Sequence, residues 1–152
     1  MKIIIIASLL FSINSFGHGD HTVPGSIPAA PHGGVVREAV HQHAGSLKHD
    51  HGHAAKKEIF YEGVLKKNIL NIYLLELDSK SYKSFVQQKP TEVKSVTAFD
   101  PRKKKNYTLD VKLSEGKLSA DFSKIKGRRF IITVSSIYAG ANYVGELQVE
   151  RK

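Results

Sequence analysis

The sequence predicts an all-β protein: one small β-sandwich of about eight strands, preceded by a signal peptide and a flexible, histidine-rich N-terminal segment. Three observations lead to this prediction. Short runs of β-branched and aromatic residues alternate with turn residues, and we find no convincing amphipathic helix. The chain starts with a basic residue and a short apolar run. All of its 8 histidines lie before residue 54.

Residues 1–17 have the pattern of a signal peptide. Lys2 is followed by an apolar run from Ile3 to Phe11, and Ser15-Phe16-Gly17 places small residues where a signal peptidase cuts. The run is much shorter than the roughly twenty apolar residues of a membrane-spanning helix. We therefore expect cleavage after Gly17 and a soluble product that is periplasmic or secreted.

Residues 18–57 are expected to form a flexible arm, a short strand and a histidine-rich loop. Pro24, Pro28 and Pro31 disfavour both a helix and a strand ladder in the arm. The stretch 33–39 predicts the short strand, which follows a tight glycine turn. The loop then continues through Lys57 and has almost no apolar residues to offset the entropy of ordering it.

Residues 58–152 are predicted to be the sandwich domain. Asn68–Leu77 is the most apolar stretch and the candidate central strand, while Ser114–Lys117 and Tyr138–Ala141 are predicted turns. The other predicted strands are 58–65, 82–86, 92–99, 107–113, 118–122, 129–137 and 142–149. The side chains expected to face the core are Ile69, Tyr73, Leu75, Leu109, Val111, Phe122, Ile132 and Val134.

The net charge of +9 comes mainly from the sandwich domain. The runs Arg102–Lys105 and Arg128-Arg129 favour a solvated, soluble face or contact with an anionic surface. Nucleic acid is not an expected partner, because an exported protein does not meet it and no nucleic-acid-binding motif accompanies the charge.

The histidines predict a metal-binding segment, since imidazole is a common ligand for borderline metals and tracts rich in histidine bind them. The chain has no cysteine, and its one methionine is Met1, so sulfur ligands are absent from the mature protein. Nitrogen and carboxylate ligands favour copper(II) or zinc(II). The candidate histidine ligands are His18, His21, His32, His41, His43, His49, His51 and His53.

Spacing constrains how these histidines act together. His41 and His43, like the members of 49–53, stand two residues apart, which places them on one side of an extended chain but not of a helix. Two candidates are better fixed: His32, between a proline and two glycines, and Glu58, which opens a strand. We predict that His32 and Glu58 form a rigid pair, the alternative being a Glu58 that faces water.

The segment Pro31-His32-Gly33-Gly34-Val35-Val36, the histidine-bearing gap after it and the strand starting at Glu58 resemble a group of small exported bacterial domains. That group has a Pro-His-Gly-Gly start and a glutamate-led strand. The likeness covers roughly residues 30–77. It implies a small β-sandwich metal binder that is associated with heavy-metal resistance and efflux systems. This chain differs from the pattern by its long histidine insertion.

The expected function is therefore an exported protein that sequesters or hands on divalent copper or zinc, as an accessory to heavy-metal efflux. The alternative is a basic interaction domain that docks on an envelope partner, with the histidines incidental. An enzyme is not expected, because the sequence has no HExxH pattern, phosphate-binding loop or nucleophile elbow. One enzymatic route needs His18 as the mature N-terminus, where its amine and imidazole would form a histidine brace around copper.

Overall fold

The computed structural model describes residues 27–42 and 58–151, which form eleven strands in two antiparallel sheets. The first sheet contains β1 (Val35–Glu38), β3 (Ile59–Lys66), β4 (Ile69–Leu77), β5 (Phe85–Gln88), β8 (Val111–Ser114) and β9 (Lys117–Asp121). The second sheet contains β2 (Val40–Gln42), β6 (Glu92–Asp100), β7 (Lys105–Thr108), β10 (Arg129–Tyr138) and β11 (Ala141–Glu150). The described residues include no helix that could cross a membrane.

The two sheets share one short N-terminal segment. The order of the first sheet is β1-β3-β4-β9-β8, with β5 also paired to β4, and that of the second is β2-β11-β10-β6-β7. The chain passes from β1 to β2 at Ala39, which is buried and donates its backbone N–H to the carbonyl of Ile59 at 2.8 Å. Residues 35–42 therefore lie at the edge of both sheets.

The main core lies between the two sheets, which confirms the predicted all-β, two-sheet architecture. Leu70, Ile72 and Leu74 of β4 face it from the first sheet, and Ile132 and Val134 of β10 face it from the second. Apolar side chains leave water here, and each fully buried one contributes about 1.5–3 kcal/mol.

The predicted inward face of β4 is wrong. Ile69 is 44% exposed, and Tyr73 and Leu75 belong to a smaller apolar cluster on the outer face of the first sheet, with Phe60 and Leu77. The physical reason is that β4 is apolar on both faces, so the alternation of apolar and polar residues does not show which face meets the second sheet.

The predicted strand 107–113 is also wrong, because the chain changes sheets within it. β7 ends at Thr108 in the second sheet and β8 begins at Val111 in the first. Leu109 is buried between them, and its N–H donates to the carbonyl of Val96 at 2.9 Å. Perfect alternation continues through the crossing, so the pattern alone does not reveal it.

The two predicted hairpin turns are confirmed. Glu115 and Gly116 have φ angles of 52° and 76°, and Ala139 and Gly140 have φ angles of 50° and 79°. Two consecutive positive φ values are the signature of the two-residue turn whose twist matches that of the flanking strands. These turns fix the register of β8 with β9 and of β10 with β11.

Tyr61 joins the two sheets through the core. Its hydroxyl lies 2.7 Å from the hydroxyl of the fully buried Ser136 and donates to the carbonyl of Tyr143 at 3.1 Å. Burial raises the pKa of Tyr61 to about 12. Gly145 makes room for the ring, because a Cβ at that position would lie 2.5 Å from Cδ2 of Tyr61.

The first prediction concerns this close approach. Gly145→Ala should lower the free energy of unfolding by about 1–3 kcal/mol, because the new methyl group overpacks against the Tyr61 ring. Urea unfolding measures the change. Glu146→Ala, at the exposed next position of β11, is the control and should change the free energy by less than about 0.5 kcal/mol. Equal effects of the two substitutions would contradict the packing argument.

The second prediction concerns the Tyr61 hydroxyl. Tyr61→Phe should cost about 1–3 kcal/mol at neutral pH, because it leaves the buried Ser136 hydroxyl and the Tyr143 carbonyl without this partner. The folded-state pKa of about 12 exceeds the ordinary value of 10.0. This contribution is therefore complete below pH 10 and falls by about 1.4 kcal/mol per pH unit as the pH rises toward 12.

Urea unfolding of the native chain and of Tyr61→Phe between pH 8 and pH 11 tests the direction of this pH dependence. The stability advantage of the native chain over Tyr61→Phe should narrow above pH 10, because the native chain alone has to hold a buried phenol neutral. An advantage that stays constant or widens with rising pH would show that burial does not control this hydroxyl.

Candidate metal centre

Glu62 is a carboxylate with no solvent exposure in the middle of β3. It lies on the outer face of the first sheet, directly across from Tyr73 of β4 and Val36 of β1. A buried carboxylate is stable only when donors replace the water that it has lost. The residues that supply these donors define the site.

The donors come from the segment before β1. The backbone N–H of Gly34 donates to Oε1 of Glu62 at 2.8 Å, and that of His32 donates to the same oxygen at 3.0 Å and lies 3.3 Å from Oε2. Nδ1 of His32 lies 2.8 Å from Oε2. Two main-chain groups and one imidazole thus surround the carboxylate.

The two glycines make this arrangement possible. Gly33 has a φ angle of 73°, which glycine adopts without strain, and its N–H donates to the carbonyl of Ala30 at 3.1 Å to close a tight turn. At Gly34 a Cβ would lie 2.4 Å from the carbonyl oxygen of Gly63 and 2.7 Å from Cγ2 of Val64. The chain can therefore approach β3 closely enough to reach Glu62 only with glycine at residue 34.

The imidazole ring of His32 is held by a second contact. It stacks on the ring of Tyr73 with a centroid distance of 3.7 Å and an interplanar angle of 5°. The His32 side chain remains 30% exposed. The ring is thus fixed on one face by Tyr73 and at one nitrogen by Glu62, while part of it reaches solvent.

These contacts determine which nitrogen of His32 can bind a metal. A carboxylate only accepts hydrogen bonds, so Nδ1 must carry the proton that points at Glu62. In the neutral ring the lone pair is then on Nε2. Carboxylate–imidazole–metal triads use this arrangement, in which the carboxylate fixes the tautomer and makes the ring a stronger ligand.

The structure does not bring His32 and Glu58 together. Glu58 lies four residues before Glu62 in the sequence. At the rise per residue of a strand, the two residues are about 13 Å apart. By alternation the two carboxylates lie on the same face of the first sheet, and Glu38 of β1 shares that face. The partner of His32 is Glu62, which is not one of the ligands predicted from the sequence.

His41 lies in a different part of the fold. It is on β2 at the edge of the second sheet, where its ring is 5.4 Å from that of Tyr143. The ring of Tyr143 is 6.5 Å from that of Tyr138, whose hydroxyl donates to Oε2 of Glu76 at 2.8 Å. A row of aromatic rings therefore connects the start of the histidine-rich segment with a carboxylate of β4.

The remaining predicted ligands lie outside the described residues: His18, His21, His43, His49, His51 and His53. Residues 1–17, the predicted signal peptide, also lie outside them. Within 27–42 and 58–151, no group of three or more histidine, cysteine, aspartate or glutamate side chains is close enough to hold a metal ion. Among the described residues, His32 is thus an imidazole held by a buried carboxylate, and a complete ligand set around it needs further residues.

One signal for Glu62 was present in the sequence. It is a charged residue within Ile59–Leu65, an otherwise uncharged stretch, and a strand interior rarely buries a carboxylate without assigned partners. The strand was recognised, but the carboxylate was not assigned to the His-Gly-Gly segment. That assignment depends on which residues of β1 and β3 face each other, and this register is visible only in the structure.

Comparison of the chain with protein-family models, with curated proteins and with solved structures gives no match.

Proposed function

We propose that this protein is an exported metal-binding module that captures divalent copper or zinc and sequesters it or hands it on. His32 is the fixed ligand of the site, and histidines of the 41–53 segment complete the coordination. The observation that carries this proposal is the orientation of His32 by the buried carboxylate of Glu62.

The contacts of His32 favour a ligand role over a purely structural one. A histidine that only anchored the segment could be replaced by any hydrogen-bond donor, because the N–H groups of His32 and Gly34 already satisfy Oε1 of Glu62. Its ring is instead fixed so that Nδ1 is occupied and the side chain stays partly exposed. These are the features that a first ligand of a divalent metal requires.

One imidazole does not hold a metal tightly, since stable protein sites supply three or four ligands. The sequence places His53 five residues before Glu58, and five residues span up to about 17 Å. This reach exceeds the separation of about 13 Å between Glu58 and Glu62. The length of the chain therefore permits His53 to bind a metal that is held by Nε2 of His32.

The chemistry of the ligands sets the class of metal. Imidazole with nearby carboxylates and without sulfur suits copper(II) and zinc(II), and copper(II) is bound more tightly by most such ligand sets. The predicted signal peptide, the histidine-rich segment and the β-sandwich together favour a periplasmic or secreted accessory of heavy-metal efflux, which receives the ion and passes it to an efflux component.

The third prediction is metal binding that depends on His32. Isothermal titration of the mature protein with copper(II) and with zinc(II) should give a dissociation constant below about 100 μM, which is roughly −5.5 kcal/mol. His32→Ala should weaken binding at least tenfold, and replacing His49, His51 and His53 by asparagine should weaken it as well. Absence of binding below about 100 μM, or an unchanged affinity in His32→Ala, would refute the proposal.

The fourth prediction separates Glu62 as an orienting group from Glu62 as a structural one. In Glu62→Gln the amide oxygen can still accept from the N–H groups of His32 and Gly34, while the amide NH2 faces Nδ1. Nδ1 then has to accept, and the ring proton moves to Nε2, where it blocks the metal. Affinity should fall about 10- to 100-fold.

Nitrogen-15 NMR of the His32 ring reads the tautomer directly, and titration with zinc(II) reads the affinity. Asp100→Asn is the matched control, since Asp100 is also a buried carboxylate that accepts backbone N–H groups, those of Arg102 and Lys103. It should leave metal affinity unchanged. If Glu62→Gln kept both the tautomer and the affinity of the native protein, Glu62 would not orient a ligand.

A further inference from the structure

The turns at one end of the sandwich form a continuous basic surface, which we call the basic pole. It consists of the β3–β4 turn, the β6–β7 turn, the β9–β10 loop and the C-terminal residue of the described chain. Its lysines and arginines are Lys66, Lys67, Arg102, Lys103, Lys104, Lys105, Lys124, Lys126, Arg128, Arg129 and Arg151.

Hydrogen bonds between the turns hold these charges together. Phe122 N–H donates to the carbonyl of Asn68 at 2.7 Å, and Nζ of Lys103 donates to the carbonyl of Lys126 at 2.6 Å. Arg151 donates through Nη2 to the carbonyls of Phe122 and Ile125, at 3.0 and 3.1 Å. The β9–β10 loop is thereby hydrogen-bonded to the β3–β4 turn, to the β6–β7 turn and to the C-terminal end. These bonds hold the parts of the basic pole in fixed positions relative to one another.

The excess positive charge of the described residues is confined to this pole. Eleven lysines and arginines face three carboxylates there, whereas the rest of 27–42 and 58–151 carries seven against nine. The three carboxylates offset only part of this charge and leave an excess of eight (11 − 3). Asp100 is buried, caps the β6–β7 turn and lies 4.0 Å from Nζ of Lys103, Asp121 is bonded to Ser123, and Glu150 pairs with Arg128 and Arg129.

We propose that the basic pole docks on the surface of an anionic phospholipid bilayer. Most of its charges are lysines, which act as mobile point charges suited to a diffuse anionic surface, rather than arginines arranged for discrete phosphates. Ile69, which is 44% exposed on the β3–β4 turn, adds an apolar contact at the same end. Of the aromatic residues at this end, Phe122 and Phe130 are buried, whereas Phe99 and Tyr107 are partly exposed and Nζ of Lys105 lies 5.1 Å from the centroid of the Tyr107 ring.

Docking through this pole sets the orientation of the molecule. Arg129 and Tyr138 are the two ends of β10, about 30 Å apart at the rise of a strand. Gln42, the last residue of β2, pairs with Asn142 next to the Tyr138 end. β2 thus ends on the side of the sandwich that faces away from the membrane. The docking proposal itself does not depend on metal binding.

The fifth prediction tests the pole with vesicles. The full mature chain should bind vesicles of phosphatidylglycerol and phosphatidylcholine at physiological ionic strength, and should do so less as salt is raised. The combined variant Lys66→Gln, Lys124→Gln and Lys126→Gln should bind about 100-fold more weakly, since each basic residue near an anionic bilayer contributes about fivefold. Co-sedimentation measures the partition, and thermal unfolding verifies that the variant is folded.

The matched control removes the same charge from the opposite end. Lys80→Gln, Lys83→Gln and Lys89→Gln alter exposed residues beside β5 and should change vesicle binding by less than about threefold. Equal losses in the two triple variants would overturn the proposal, as would equal binding to pure phosphatidylcholine or no binding at physiological salt. Tighter binding to heparin or to duplex DNA than to vesicles would overturn the assignment to lipid.

Discussion

The buried carboxylate of Glu62 imposes the most demanding requirement in this fold. Its charge needs hydrogen-bond donors that the first sheet cannot supply, because the backbone N–H groups of β3 are already hydrogen-bonded to the neighbouring strands. The donors have to come from a segment that lies across the strand, and the turn at Gly33 and the close approach at Gly34 bring that segment into place. The position of His32 follows from this requirement.

The same requirement explains why the N-terminal segment belongs to the fold. Once residues 32–34 are bonded to Glu62, β1 continues along β3 and the chain crosses at Ala39 to pair with β11. The edges of both sheets are covered by one piece of chain, which reduces the exposed strand edge available for association. Tyr61, the neighbour of Glu62, faces the opposite side and bonds the two sheets together. Adjacent residues of β3 thus serve the site and the core.

The fold was largely predictable, because its turns and alternation are local signals. The hairpin at 114–117 and the strands β3, β4, β10 and β11 follow from residue type within ten positions. Two features could not be predicted in this way: which face of β4 meets the second sheet, and the change of sheet at Leu109. Both depend on how the two sheets pack against each other. At the site, His32 was predictable from its proline and glycine neighbours. Its partner was not, because the choice of Glu62 over Glu58 depends on the register of β3 with β1, which is visible only in the structure.

The metal proposed at His32 and the proposed docking surface, the basic pole, belong to the same small domain. Lys66 lies four residues from Glu62, about 13 Å along β3, whereas the Debye length at physiological ionic strength is about 8 Å. The repulsion between the pole and a divalent cation is thus largely screened. The carboxylate of Glu62 contacts His32, and that of Glu38 lies on the same outer face, so the charge next to His32 is negative. Because the charges are segregated, the two proposals are physically compatible: a cation would bind on one face of the sandwich and an anionic surface would meet one end of it.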